Sequence, residues 1–386
     1  MLKNFKQLLS VILIVTMLFS LSGCIQESKP GTTLAPNSNT SDDNTTSQPV
    51  APALTVNLAA PKNAEIIIKL AVIDTMTGIL ESSYFSYVRV FKSMVENKTD
   101  GRIGVEVFPN GQLGDLPSTL EQTVKGTIQM TSGQNTGLLA TYAPNIQCLD
   151  IPFVFRDTEV AMQVLNGEFG AKLNQEVIDK AGVRVISYLP TSFRNFITND
   201  KQIKTASDLK GLKIRVMEVP IHVKMIESLG ANPTVISFNE LYTAMQTGVV
   251  DGHEQAPYTV LMQKLEEVAD YYTLDGHILN SNAVTMNEKF FQSLSEEDQA
   301  VILSAARAAQ QAMMGVIKAK EVQDLAKIAA AGVEIYQPTT EELATFKKAT
   351  QQPVIDMLSS EMDVKVINEL LEKVEAAEKQ IDSLEY

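Results

Sequence analysis

Tryptophan is absent from this chain of 386 residues, and cysteine and histidine are scarce, with two and three copies respectively. Basic residues are also in deficit: 32 lysines and arginines face 46 aspartates and glutamates, which gives a formal net charge of -14. A nucleic-acid partner requires a positive field to meet its phosphates, and this composition does not supply one. The missing tryptophan weakens a carbohydrate-binding interpretation, because sugar rings are commonly stacked on aromatic faces, although 10 tyrosines and 14 phenylalanines remain.

The common catalytic and nucleotide-binding motifs are missing as well. The sequence contains no G-x-S-x-G, G-x-G-x-x-G, Walker A, H-E-x-x-H or C-x-x-C pattern. The segment DGHE at residues 251–254 carries three candidate metal ligands, but no second spaced cluster accompanies it. Cys148 lies in an apolar context, NIQCLDIPF, and is expected to be a small buried hydrophobic residue. We therefore expect a protein that is not an enzyme and that holds neither a metal nor a cofactor.

The N-terminus has the pattern of an export signal. Two lysines precede the apolar run 8–21, and the letters LSGC follow, with Cys24 last. A small-residue site followed directly by cysteine resembles a bacterial lipobox, in which the cysteine becomes the lipid-bearing first residue of the mature protein. The alternative is an ordinary signal peptide with a coincidental cysteine. We predict a lipoprotein signal peptide at 1–23 and a lipid anchor at Cys24, which places the mature protein outside the cytoplasm on the cell membrane.

Residues 24–62 differ in composition from the rest of the chain. Ser, Thr, Asn, Pro and Asp dominate this segment, and large apolar residues are few. Such a composition does not bury enough apolar surface to offset the conformational entropy lost on folding. We predict a lipid-anchored, disordered tether that leaves the folded part free to swing near the membrane.

From about residue 63 onward, β-rich runs alternate with helical stretches, which predicts an α/β architecture with largely parallel sheets. Separate strands are predicted at GVRVISYL and SFRNFITN, and one longer helix is predicted over 158–181. The alanine-rich run 296–330 predicts a helix of roughly 50 Å, long enough to bridge two lobes. The alternative for this run is two helices with a kink.

Two arginines mark a candidate binding surface. In GLKIRV (211–216) apolar residues alternate with Lys213 and Arg215, so Arg215 lies opposite the apolar row of a half-buried strand. Arg194 lies in the preceding β-like segment, and adjacent strands would bring both arginines onto one wall. A guanidinium binds a carboxylate through two parallel, charge-assisted hydrogen bonds. The residues alone leave open that both arginines are solvated on the surface.

Four segments in order along the chain resemble the solute-binding proteins of TRAP transporters, the tripartite ATP-independent periplasmic systems. They are FPNGQLGD (108–115), SDLKGLKIRV (207–216), GANPTVISFNELYTAMQTGVVDGHEQAP (230–257) and GHILN (276–280). The organic-acid and sialic-acid branch is the most similar, and the resemblance extends from about residue 65 to the end. It implies a bilobed, periplasmic-binding-protein-like α/β fold with a cleft between the lobes and no catalysis. It also implies a small carboxylate-containing solute as ligand and a membrane permease as partner.

The resemblance implies a set of ligand contacts. The arginine that pairs with the ligand carboxylate in the family falls on Arg215, and a second, upstream arginine falls near Arg194, where the spacing in RNFITN is one residue longer. The aromatic residue of the F-x-E-x-Y pattern falls on Phe238, which covers the apolar face of the ligand or packs as core. The asparagine of VDGQENP falls on Gln255, because this chain has VDGHEQAP instead.

Further contacts are expected on the side of the cleft that precedes residue 192. Gln134 and Asn135 follow the strand TIQMTS, where sialic-acid binders have a glutamate, and an amide there favours a different acid. Asp74 and Thr77 lie at the exit of the first strand and complete the predicted ligand-binding set.

The expected division of the folded part is lobe 1 at 63–191 plus 281–320 and lobe 2 at 192–280 plus 321–386. We expect a monomer that closes on its solute and delivers it to a TRAP permease. Two other functions remain open: an exported binding protein for a neutral or metal ligand, which would use DGHE, and a surface sensor without a transport role.

Overall fold

The computed structural model describes residues 57–74, 76, 78 and 82–384 of the chain. The predicted signal peptide, the lipid-anchor position Cys24, most of the tether and Thr77 lie outside these residues. The predictions made for them therefore stay predictions. Cys148 is fully buried and unpaired, as its apolar context predicts.

A single nine-stranded sheet runs through the described part of the chain. The strand order is β2-β1-β3-β8-β4-β7-β5-β6, and β9 pairs with β8. The strands are β1 (Ile66–Val72), β2 (Ile103–Phe108), β3 (Met130–Asn135), β4 (Val183–Thr198), β5 (Lys213–Val216), β6 (Asn232–Val235), β7 (Gly252–Gln255), β8 (Tyr271–Asn287) and β9 (Glu334–Tyr336).

The expectation of largely parallel sheets is wrong for the middle of this sheet. β1 pairs in parallel with β2 and β3, and β5 pairs in parallel with β6 and β7. Between these two parallel groups, β8 is antiparallel to β3 and β4, and β4 is antiparallel to β7. Two long antiparallel strands thus join two parallel α/β halves, an arrangement that local hydrophobic patterns do not encode.

The two strands predicted on either side of Pro190 form the single strand β4. In its ladder with β8, Pro190 pairs with Ser281 and Phe193 pairs with Leu279, and the register shifts between these two pairs. An irregular register tolerates a proline, which has no N–H to donate to the ladder. The proline therefore marks a bulge inside one strand, whereas the sequence pattern suggested an interruption.

The described residues form twelve α-helices, and the predicted single helix over 158–181 is two of them. The break lies at Asn166 and Gly167, and it brings the chain so close to Gly170 that a side chain there would place Cβ only 1.8 Å from the carbonyl oxygen of Leu165. The helices are α1 (Ser83–Lys98), α2 (Leu116–Lys125), α3 (Thr136–Leu139), α4 (Thr158–Leu165), α5 (Glu168–Ala181), α6 (Pro220–Ser228), α7 (Leu241–Gln246), α8 (Pro257–Met262), α9 (Glu288–Ser293), α10 (Glu296–Ala330), α11 (Thr340–Glu361) and α12 (Val364–Asp382).

The long helix is confirmed as one continuous element, α10, of 35 residues. The Ser295 hydroxyl accepts a hydrogen bond from the backbone N–H of Asp298 and caps its first turn. Among the described helices, α10 is long and apolar enough to cross a membrane. Its apolar face nevertheless packs in a buried cluster with α1. The cluster contains Tyr87, Val88, Phe91, Ile302, Ala305, Ala309 and Met313.

Three buried apolar clusters support the sheet. One lies at β1–β3 beneath α1 and α10, a second contains residues of α4–α6, α11 and α12, and a third contains residues of α7, α8 and β8. The chain has the bilobed α/β fold that the sequence predicts. The residue boundaries of the two lobes stay a prediction.

Candidate functional site

Two adjoining pockets lie where the β1–β3 half of the chain meets the β4–β7 half. They share four lining residues, Ile73, Leu116, Met217 and Phe238. Arg215 lines the first pocket, and Arg194 lines the second. The second pocket is also lined by Asp74, Tyr84, Gly133, Asn135, Gln255, Tyr258, Thr259, Asn280 and Asn282. We treat the two as one cleft, because their walls are continuous.

Arg215 is buried on β5, with an exposed fraction of 1%, but most of its donors are unused. Its Nε donates to the carbonyl oxygen of Ile236 at 2.9 Å. Its Nη1 is buried and has no hydrogen-bond partner among the described residues. An unpartnered buried donor costs free energy, and this one remains able to donate to an acceptor.

Arg194 is also 1% exposed, but it is fully engaged. Its Nε donates to Glu254 Oε2, and its Nη2 donates to Glu254 Oε1 at 2.7 Å and to the Glu254 carbonyl at 2.9 Å. Its Nη1 donates to Gln255 Oε1 at 3.2 Å and to Asn280 Oδ1 at 3.1 Å. All five N–H groups of this guanidinium are thus satisfied by the protein. Arg194 contributes its charge to the cleft, whereas Arg215 has donors to spare.

The two arginines do not lie on adjacent strands, contrary to expectation. β7 lies between β4 and β5, and it pairs Gln255 with Asn195 and His253 with Arg215. The intervening strand β7 supplies Glu254 and Gln255, which accept the hydrogen bonds of Arg194. Sequence order could not reveal this, because β7 is inserted from a segment almost 40 residues downstream of β5.

Glu254 is the centre of a buried polar network behind the cleft. Besides Arg194, it accepts a hydrogen bond from His277 Nε2 at 3.2 Å, and His222 Nδ1 lies 3.5 Å away. His277 Nδ1 lies 2.8 Å from Asp275 Oδ2. Burial opposes ionisation of Glu254, but the charge of Arg194 and the hydrogen bonds of the histidines hold its pKa well below its usual value. Burial also opposes the charge on His277, yet Asp275 and Glu254 raise the pKa of His277 to about 9.

The DGHE segment does not present its ligand-type side chains together. His253 Nδ1 lies 3.1 Å from the carbonyl oxygen of Arg215, and burial together with the Arg215 charge lowers the pKa of His253 well below its usual value. His253 is therefore neutral, donates from Nδ1 and leaves a buried Nε2 without a partner. Consecutive strand residues point to opposite faces, so His253 and Glu254 do not converge on one ion. Within the described residues no group of three or more His, Cys, Asp or Glu is placed to hold a metal.

Asp74 and two tyrosines line the second pocket together with Arg194. Tyr258 donates to Asp74 Oδ2 at 2.7 Å, and burial raises the pKa of Asp74 to about 6 against the lowering effect of this hydrogen bond. The Tyr84 hydroxyl is buried without a hydrogen-bond partner among the described residues. The sequence analysis missed both tyrosines, because a tyrosine on a helix is usually core, and only their common contact with the cleft distinguishes them.

The other candidate residues occupy different positions. Phe238 is half-buried and lines both pockets, and Asn135 lines the second. Gln255 Oε1 accepts from Arg194 and from the backbone N–H of Ala256, which leaves its Nε2 for a ligand. The Gln134 amide donates instead to the Leu116 carbonyl and to Thr119 on α2. The structure thus brings six of the eight candidates together, places Gln134 behind the wall and leaves Thr77 outside the described residues.

Comparison with known proteins identifies the family of the chain. A sequence model of the bacterial extracellular solute-binding proteins, family 7, matches residues 79–361. A solute-binding protein of Roseobacter denitrificans is 32% identical over 273 residues, which cover 70% of this chain and 82% of the relative.

Solved structures of TRAP periplasmic solute-binding proteins share the fold. One from Roseobacter denitrificans with bound L-galactonate has 29% identity and a TM-score of 0.73, and one from Sulfitobacter sp. NAS-14.1 with bound β-D-galacturonate has 27% identity and a TM-score of 0.74. Each match covers 80% of this chain and 99% of the other. The chain therefore belongs to family 7 of the bacterial extracellular solute-binding proteins, the periplasmic receptors of TRAP transporters.

Proposed function

We propose that this protein binds a small carboxylate-containing solute in the cleft and delivers it to a TRAP permease, with Arg215 as the principal partner of the carboxylate. The observation that carries the proposal is the buried Nη1 of Arg215, a residue that lines the cleft, which has no hydrogen-bond partner among the described residues. A carboxylate accepts from a guanidinium through two parallel hydrogen bonds and would satisfy this donor. The guanidinium fork matches phosphate as well as carboxylate, and the carboxylate ligands of the similar structures favour a carboxylate here.

The charge balance of the cleft supports an anionic ligand. Burial and the nearby charge of Arg194 lower the pKa of Arg215 to about 10, and Glu254 and Glu218 offset only part of this lowering. Glu254 is committed to Arg194 and to two histidines. One bound carboxylate would offset the charge of Arg215, and Arg194 would add attraction through its position in the adjoining pocket.

The ligands of the two similar structures support the same class. L-Galactonate and β-D-galacturonate each carry one carboxylate and several hydroxyls. The family consists of solute-binding receptors that act outside the cytoplasm, and no catalytic arrangement is needed for this role. We extend the proposal to a monomer whose lobes, at 63–191 plus 281–320 and 192–280 plus 321–386, close around the solute.

The test is isothermal titration of the purified protein with a panel of organic acids, applied to three variants. Arg215→Ala should lose about 10² to 10⁴ in affinity for every acid, because one half of a desolvated charge pair is removed. Arg215→Lys should also weaken binding, since a point charge does not reproduce the fork. Arg89→Ala, at an exposed arginine of α1, is the matched control and should bind as the unmodified protein does. Unchanged acid affinity in Arg215→Ala would overturn the proposal.

We also propose that Cys24 carries a lipid anchor, on the strength of the LSGC sequence that ends the apolar run. The measurement is the partition of the expressed protein into detergent phase after membrane fractionation, with Cys24→Ser compared against Cys148→Ser. Cys24→Ser should release the protein into the aqueous phase, and Cys148→Ser should not. Equal partition of the Cys24 variant and the unmodified protein would show that there is no anchor at this position.

A further inference from the structure

The cleft has a second polar end that the arginines do not explain. Asp74 directly follows β1, and β1 is separated from β4 by β3 and β8. Three strand spacings of about 4.8 Å put roughly 14 Å between the backbones of β1 and β4. The charge of Lys320 lowers the pKa of Asp74, and neither Arg194 nor Arg215 is among the causes of the shift in this pKa. Asp74 therefore shares the second pocket with the fully engaged Arg194, whereas Arg215 and its unused donors belong to the first pocket.

The groups at the Asp74 end suit hydroxyls. A carboxylate accepts hydrogen bonds from hydroxyl groups, and Asp74 Oδ2 already accepts one from Tyr258 at 2.7 Å. The Tyr84 hydroxyl, which is 2% exposed as a residue and makes no hydrogen bond of good geometry among the described residues, adds a group that both donates and accepts. The Asn282 amide lines the same pocket and interacts with Tyr84. Three kinds of hydrogen-bonding side chain thus meet at one place with capacity left for a ligand.

The same groups oppose a second carboxylate. An anionic group that enters this end would meet Asp74, and like charges repel strongly where water is excluded. Lys320 is close, but its charge affects Asp74 less than burial and hydrogen bonding do, and its ammonium also lies 4.0 Å from Asp324. One carboxylate of a dicarboxylate therefore fits beside Arg215, whereas its other carboxylate is repelled by Asp74.

We propose that Asp74 and Tyr84 form a hydroxyl-recognition subsite, which makes the receptor selective for hydroxylated monocarboxylates over dicarboxylates of the same length. This inference rests on the proposed function, because it assumes that the ligand carboxylate is held by Arg215. It assigns the other end of the ligand and names the residues that select it. L-Galactonate and β-D-galacturonate, the ligands of two similar structures, belong to this class, whereas another similar structure holds the dicarboxylate succinate.

The experiment uses probe pairs that differ only at the carbon farthest from the shared carboxylate. L-Galactonate is compared with galactarate and erythronate with meso-tartrate, in which the terminal hydroxymethyl group is replaced by a carboxylate. The unmodified protein should bind the hydroxy acid of at least one pair about 10- to 100-fold more tightly than the diacid, as expected for hydrogen bonds to a charged acceptor set against repulsion. 4-Aminobutyrate is included, because an ammonium would also satisfy Asp74.

Two variants separate the contributions. Asp74→Asn keeps the shape of the side chain and removes its charge, so the preference for the hydroxy acid should fall at least tenfold, mainly through a gain in diacid affinity. Tyr84→Phe should weaken the hydroxy acid about tenfold and leave the diacid unchanged. Circular dichroism and thermal unfolding of each variant establish that it is folded before the titrations are compared.

Failure of this inference is distinguishable from failure of the proposed function. Diacids that bind at least as tightly as hydroxy acids, a preference unchanged in both folded variants, or tighter binding of 4-aminobutyrate would overturn the subsite while Arg215→Ala still abolishes binding. Acid binding that survives Arg215→Ala, or no binding of any acid, would overturn the proposed function and the subsite with it.

Discussion

Replacement of Glu254 by glutamine should destabilise the fold more than any exposed charge substitution in this chain. The carboxylate is fully buried and accepts hydrogen bonds from two nitrogens of Arg194 and from His277 Nε2. Glu254→Gln removes the negative charge, keeps the volume and turns an NH₂ group toward these donors. The guanidinium then remains buried without its carboxylate partner, and the imidazolium keeps only Asp275. Breaking a buried ion pair in this way costs about 3–5 kcal/mol of unfolding free energy.

The chain offers a control of the same geometry at Glu288. Arg184 donates to Glu288 from Nε at 2.8 Å and from Nη2 at 2.7 Å, so this pair is also bidentate. Its side chains are 22% and 16% exposed, against 1% and 0% for Arg194 and Glu254. Water screens the Glu288 pair, and Glu288→Gln should cost only about 1 kcal/mol.

Urea unfolding followed by far-ultraviolet circular dichroism measures both values, a suitable probe for a chain without tryptophan. The free energy of unfolding is extrapolated to water for the unmodified protein and for each variant. Losses for Glu254→Gln and Glu288→Gln that agree within about 1 kcal/mol would refute the reasoning, because burial is the main difference between the two pairs.

Two further predictions concern stability. The pKa of His277 rises to about 9 in the folded chain from an ordinary value near 6.5. The stabilisation by its charge is therefore complete below about pH 6.5 and is lost as the pH rises to about 9, a fall of ~3 kcal/mol in the free energy of unfolding. His277→Gln should abolish this pH dependence, and urea titrations at several pH values measure it. Gly170→Ala should lower the melting temperature, because the new Cβ would meet the Leu165 carbonyl, whereas Gly315→Ala on α10, with nothing within 4 Å, should stabilise by about 0.5–1 kcal/mol. A higher melting temperature for Gly170→Ala, measured by calorimetry, would contradict the close approach.

The parts of the fold that depend on local pattern could be predicted from the sequence. The long helix α10 has an N-cap at Ser295 and an uninterrupted run of helix-forming residues, so its start and length are encoded in adjacent residues. The strand at Arg215 has a clear period of two. The pairing partners could not be predicted this way, because strand order depends on contacts between segments that are far apart in the chain. The insertion of β7 between β4 and β5 and the antiparallel β4–β8 pair are the main examples.

The candidate site shows the same division. The residues that carry an unusual type at a strand position, such as Arg194 and Arg215, were found from sequence, and both line the cleft. The residues that act through their partners were not: His277 and Asp275 are ordinary polar residues until Glu254 is placed beside them. Burial, which no single sequence reveals directly, distinguishes a solvated arginine from a buried arginine that has an unpartnered donor.

The antiparallel β4–β8 pair has a mechanical consequence. The two halves of the molecule are joined by a continuous hydrogen-bonded ribbon, and its ladder is irregular between Pro190 and Phe193 and again between Arg194 and Phe196. Bending of a ribbon concentrates where its rungs are missing or displaced. Arg194 therefore sits on the flexure itself, between two weak points. A bend of the ribbon at this joint would reorient Arg194 together with Glu254, which holds its guanidinium.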